Sequence, residues 1–144
     1  MRALRLGIVV FASVALLAAC SPSTDKLTAT MWKLTAVTLT GTGSALPPGV
    51  VPVADQARYT ITFNDDGTFQ AQADCNTVGG DYTVGSGGSL TMDIAPSTLV
   101  ACPEGSYSNV YIGALGNAKS YVIAGDRLTI TLQDQGTLAY AKSP

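Results

Sequence analysis

From Met31 onwards, apolar and polar positions alternate along most of the chain with a period of two, which marks strands that bury one face. Met31 to Leu39 is the first such run. Tyr59, Ile61 and Phe63 then share a face, with Thr60 and Thr62 on the other. The turn Asn64-Asp65-Asp66-Gly67 follows, its Asp-Gly step supplying the positive φ of a tight hairpin. Phe69, Ala71 and Ala73 alternate with Thr68, Gln70 and Gln72. Gly80 to Val84 gives a further short strand, residues 85–88 another turn, and Leu90, Met92 and Ile94 another buried face. The period changes once. Tyr107, Val110, Tyr111, Ala114 and Leu115 recur at three- and four-residue spacing, which predicts one helix over Ser106 to Gly116, capped by Ser106 or Ser108 and stopped at Gly116. Tyr121 to Ala124, Arg127 to Gln133 (Leu128, Ile130 and Leu132 inward) and Gly136 to Ala141 close the chain as strands.

Seven or eight short antiparallel strands with one helix predict a mainly β fold: a small, strongly twisted sheet or partly open barrel, with the helix over residues 106–116 covering an end. Two stretches fall outside the pattern. Ser21 to Thr30 is polar and aperiodic and reads as a tether of at most ~35 Å. Residues 40–57, with Pro47, Pro48 and Pro52, read as a long loop, either decoration or a binding element.

The N-terminus changes the setting. Arg2 and Arg5 precede an apolar run, then Leu17-Ala18-Ala19-Cys20. This order is that of a bacterial export signal ending in a lipobox, with Cys20 lipidated as the mature N-terminus. The run is about 14 residues, short of the ~20 that span a bilayer. The expected organisation is a signal peptide over 1–19, lipidated Cys20 and tether over 20–30, and one domain over 31–142. Ser21 provides no acidic retention signal, so the anchor is expected in the cell membrane or, in a host with two, the outer one. An exported domain lies in oxidising surroundings, where Cys75 and Cys102 are expected to pair as a disulfide. A redox-active pair is the alternative, but the close spacing that tunes reactive thiols is missing. Without Arg2 and Arg5 the chain carries six basic and ten acidic side chains, a net charge of −4. On that balance neither nucleic acid nor anionic lipid headgroups are expected partners.

Candidate chemistry is sparse. The chain has no histidine, which removes Ser-His-Asp and Cys-His machinery and most catalytic zinc sites. Asp65 and Asp66 lack the ligand series of a calcium loop and read as turn residues. Glu104 is expected to favour the positive end of the helix dipole. Asp74 and Asn76 flank Cys75 and are expected to satisfy backbone groups at an irregular bend; a ligand contact is the alternative. Trp32 is expected in the core, the alternative being an exposed platform for sugar or peptide.

The segment Ala73-Asp74-Cys75-Asn76-Thr77-Val78-Gly79-Gly80-Asp81-Tyr82, with Trp32-x-Leu34 before it and Ser97-Thr98-Leu99-Val100-Ala101-Cys102-Pro103 after it, resembles the META/HslJ-like domain of bacterial envelope proteins. Tyr121-x-Ile123-x-Gly125-Asp126-x-Leu128 continues the likeness, which covers about residues 31–141. Many members carry Gly before the Cys, where this chain has Asp74. The resemblance implies a small barrel-like fold and an envelope role linked in general terms to heat shock, antibiotic tolerance and secretion or motility. It brings no catalytic residues and no cofactor. Trp32, Leu34, Asp74, Asn76, Gly80, Tyr82 and Thr98 are its motif positions, expected to be structural. The expected function is a non-enzymatic, membrane-anchored lipoprotein acting through protein contacts or in envelope stress tolerance. The alternative is a small-ligand carrier with residues 40–57 as lid. A filled interior favours the first and an open apolar cavity the second.

Overall fold

Strand β1 (Met31–Leu39) alternates as its sequence dictates: Trp32, Leu34, Val37 and Leu39 are buried, with more accessible residues between them. The computed structural model describes residues 24–28, 30–40, 49–134 and 136–144. Residues 1–23, on which the expected signal peptide and Cys20 fall, and residues 41–48 lie outside the described residues. Beyond β1 run β2 (Gly49–Pro52), β3 (Tyr59–Phe63), β4 (Thr68–Ala73), β5 (Asn76–Val84), β6 (Leu90–Ile94), β7 (Ala118–Ala124), β8 (Arg127–Leu132) and β9 (Thr137–Lys142).

Eight strands pair antiparallel in the order β6-β5-β4-β3-β1-β9-β8-β7, and β2 pairs with β1 beside this path. A bridge between Ser89 and Ser120 brings the two ends of the sheet together, so the sheet is nearly closed into a barrel. Eight strands leave an interior just wide enough for side chains. Trp32, Leu34, Ile61, Phe63, Leu128 and Ile130 fill it, each essentially inaccessible to solvent. Gly80 is required by closeness: a Cβ there would lie 2.0 Å from the carbonyl oxygen of Asp93 on β6.

One helix covers each end. At one end α2 (Ser108–Leu115) buries Tyr111, Ala114 and Leu115, one or two residues shorter at each side than the spacing predicts. At the other lies α1 (Thr24–Thr28), and here the structure corrects the tether. Leu27 is fully buried and its carbonyl accepts a 3.1 Å hydrogen bond from the Trp32 indole Nε1. Five residues are too few to show a helical period, so one apolar side chain and one hydrogen bond hold what the sequence presents as polar linker.

The long loop is corrected as well. Its second half contains β2, which lies antiparallel to Ala36–Leu39 of β1, and a 3-10 turn at Gln56–Arg58. Val53 is buried and its N–H donates to the carbonyl of Thr35 at 2.9 Å. The cause lies in β1. Its first three residues pair with β3, and its register against β9 shifts at Thr35. A bulge bends a strand, and here it turns the upper half of β1 away from β3, leaving an edge that β2 covers. Pro52, at the end of that edge strand, is where a proline is tolerated.

Candidate functional site

The features that the sequence singles out converge where β4 meets β5. The two strands are joined by a two-residue turn, Asp74-Cys75, between the paired residues Ala73 and Asn76. Asp74 has φ 61°, the one positive φ of a non-glycine residue among those described. A side chain is disfavoured there and glycine is not, so an aspartate at this position needs contacts that hold it. Three contacts hold Asp74. Its N–H donates to the Arg58 carbonyl at 2.7 Å, and its own carbonyl accepts from Gln72 Nε2 at 2.7 Å. Its carboxylate, only 2% exposed, forms an ion pair with the half-exposed Arg58 guanidinium; beyond that pair Oδ1 has no hydrogen-bond partner.

Cys75 is bonded to Cys102, with Cα atoms 5.6 Å apart. Asn76 then works as a clamp. Its Oδ1 accepts from the Val100 N–H at 2.9 Å while its Nδ2 donates to the Val100 carbonyl at 3.0 Å. The side-chain amide thus pairs with a backbone peptide as a neighbouring strand would. The same Nδ2 lies 3.0 Å from Ser108 Oγ and 3.3 Å from Cys102 Sγ. One buried side chain therefore joins the hairpin, the 95–107 segment and the start of α2. With its backbone facing Asn76, Val100 presents its side chain outward, 58% exposed, beside Leu99 at 41%.

The helix start is capped from a distance. The Tyr59 hydroxyl accepts from the Tyr107 N–H at 2.9 Å, and Ser106 Oγ accepts from the Ser108 N–H at 3.2 Å. Ser106 thus serves α2 as its position suggests, whereas Ser108 is buried against Asn76. Glu104 stands ahead of α2, as its position predicts, and no acidic residue lies in the first turn of the helix. Between these groups lies a surface cleft of about 180 Å³, bounded by Val53, Arg58, Tyr59, Asp74, Glu104 and Tyr107.

The remaining motif positions lie elsewhere. Trp32 and Leu34 are in the core. The Tyr82 hydroxyl donates to the Asn64 carbonyl at 2.8 Å and braces the Asn64–Gly67 turn; burial, then Asp65, Tyr121 and Asp66, raise its pKa. Thr98 is exposed on the 95–107 segment. In the turn, Asp66 accepts from the Thr68 hydroxyl and N–H, which lowers its pKa. Deep in the barrel the Tyr140 hydroxyl donates to that of Tyr111 at 3.2 Å, and burial pushes both phenols well above their ordinary pKa. Among the described residues no three His, Cys, Asp or Glu side chains gather as a metal site, and no helix is long and apolar enough to cross a membrane.

Sequence reasoning missed Arg58 and Tyr59 as parts of this corner, and offered Ser108 only as a helix cap. None has a local signature: each acquires its role from residues 16 or more positions away.

The model of the META domain family matches residues 25–144. Two solved structures are similar in fold. One is a DUF4847 family protein from Bacteroides vulgatus ATCC 8482, 18% identical with a TM-score of 0.60, over 82% of this chain and 95% of that one. The other is an NMR structure of a protein from Burkholderia xenovorans, 21% identical with a TM-score of 0.61, over 94% of this chain and 99% of that one. No curated protein matches the chain.

Proposed function

Since the chain belongs to the META domain family, we propose that it is a non-catalytic envelope lipoprotein, anchored through Cys20, that works by gripping another envelope protein at the disulfide corner. The observation that carries this reading is the presentation of Leu99 and Val100. Both are exposed apolar side chains, yet the segment bearing them is fixed by the Cys75–Cys102 bond and by both hydrogen bonds of the Asn76 amide to Val100. Apolar residues held outward on a rigid frame lose little entropy on meeting a partner. The neighbouring cleft, with Arg58 at its rim, adds a charged contact beside the apolar one.

The packed interior supports this reading over the small-ligand carrier. Trp32, Phe63, Phe69, Leu128, Ile130 and Leu132 occupy the space a ligand would need. The lid is weakened too, since β2 and Val53 are fastened to β1.

Two measurements test the proposal. The mass of the N-terminal Cys20 peptide from isolated membranes should include acyl chains; an unmodified Cys20 refutes the anchor. Cross-linking of the lipidated protein in native envelopes, followed by capture, should recover a defined partner with the parent and none with Val100→Asp. The exposed site makes that variant neutral in stability, within about 0.5 kcal/mol. Equal capture by both proteins would move the contact surface elsewhere.

A further inference from the structure

Six cationic side chains remain once residues 1–19 are set aside, and the strand register gathers four of them at the α1 end of the barrel. Lys33 on β1 stands opposite Ala141 on β9, and Ala141 opposite Arg127 on β8. Directly opposed residues share a face of the sheet, so Lys33 and Arg127 lie in one row. Lys142 is the next residue on β9. With Lys26 of α1 it borders a cleft of about 340 Å³, bounded also by Thr30, Trp32, Ile123 and Asp126. Asp126 is the acid at this cleft, and α1 contains Asp25. Asp65, Asp66, Asp81 and Asp93, which stands opposite Asp81, belong to the same end but to its β3–β6 side. The net charge of −4 averages over this division and hides it. Two exposed apolar residues accompany the cationic side: Met31 at the start of β1, 51% exposed, and Val122 on β7, 63% exposed.

The anchor bears on the same end. Because Leu27 is buried and hydrogen-bonded to Trp32, the free tether does not run to Thr30. Three residues, Ser21 to Ser23, separate Cys20 from the start of α1. Four Cα steps reach at most roughly 14 Å, so lipid chains on Cys20 would keep α1 within that distance of the headgroups.

We propose that the α1 end of the barrel is a membrane-docking surface, with Lys26, Lys33, Arg127 and Lys142 facing anionic phospholipid headgroups. Docked in this way, the barrel directs the disulfide corner, at its opposite end, away from the bilayer. The inference rests on the lipoprotein reading.

Trp32 is the sole tryptophan and borders the cleft, so its fluorescence reports the approach of this end to lipid. The full lipidated protein would be placed in vesicles of equal parts phosphatidylglycerol and phosphatidylcholine, with a nitroxide on a fraction of the headgroups. Strong quenching is expected, weaker in phosphatidylcholine alone, and relieved by salt because surface charges are screened. Lys26→Gln with Lys142→Gln should lower the docked-to-undocked ratio roughly fivefold per cation. Both lysines are exposed, so the fold should survive. Lys119→Gln, at the far end, should change nothing. With the acyl mass of Cys20 verified, quenching indifferent to lipid charge and to the double variant overturns the docking surface and leaves the lipoprotein standing. A double variant that altered self-association and not quenching would make this end a contact between copies, and would overturn it equally. An unmodified Cys20 removes the premise of both.

Discussion

At Asp74 a backbone cost and a side-chain gain meet in one residue. With φ at 61°, the position suits glycine, and an aspartate there is held by Arg58 through both its main chain and its carboxylate. The two substitutions should therefore be coupled. Arg58→Ala leaves a buried carboxylate without its partner and should cost about 1–2 kcal/mol, less than for a fully buried pair because the guanidinium is half-exposed. Asp74→Gly loses the pair but relieves the backbone, so its net effect should stay within about 1 kcal/mol. With Asp74→Gly already in place, Arg58→Ala should cost little. Urea denaturation of the four proteins would measure the coupling; strictly additive effects would mean that the ion pair does not stabilise the turn. Asn76 shows the complementary case, a polar side chain whose buried hydrogen-bonding groups are engaged by the backbone and side chains it joins.

At the scale of the element, what the sequence reveals depends on whether the two faces of a segment differ. β3, β4, β6 and β8 each have one buried and one accessible face, so alternation identifies them. β5 begins at Asn76, four residues before its predicted start, because the Cys-Asn step reads as a bend until the disulfide is seen to leave from the turn. β2 and α1 were illegible for another reason. β2 exists because the Thr35 bulge frees an edge of β1, a non-local event that no pattern within Gly49–Pro52 encodes. Of the disulfide corner, Asp74, Cys75, Asn76 and Cys102 were legible by residue type and spacing; Arg58 and Tyr59 were not, since their partners are distant in sequence. The revised loop makes a prediction that separates its halves. Replacing residues 41–48 by a shorter Gly/Ser linker should change stability by less than about 1 kcal/mol, since halving a loop shifts closure entropy by about 0.6 kcal/mol. Val53→Asp places a carboxylate at a buried site and should cost about 3 kcal/mol or more. Thermal melts of the two variants should differ accordingly; a tolerant Val53 would mean that the β2 edge contributes nothing to the core.

For the whole molecule, the barrel is a wall of strands with a helix at each end, and buried phenols fasten the α2 end. Tyr111 on α2 meets Tyr140 on β9 hydroxyl to hydroxyl and lies edge-on to Tyr59 on β3, ring centroids 5.8 Å apart. Tyr111 and Tyr140 are fully buried, and desolvation is the largest cause of their raised pKa. Folding therefore binds these protons more tightly than the unfolded chain, whose tyrosines titrate near the ordinary value of 10.0. The sign follows: below about pH 10 both states keep the protons and this contribution is intact. Above it the unfolded chain releases them first, and stability falls as pH climbs towards the folded-state values. Tyr82 and Tyr121, also raised by burial, act in the same direction. Thermal melts through the alkaline range should thus be flat up to about pH 10 and then drop, with phenolate absorbance appearing together with unfolding. Tyr111→Phe with Tyr140→Phe should start from a lower stability, having lost a buried hydrogen bond, yet decline less steeply above pH 10. If the double variant declines as steeply as the parent, the buried pair is not what opens the barrel at high pH, and the helix is held at its end by its apolar packing and by the contacts of its first turn with Tyr59 and Asn76.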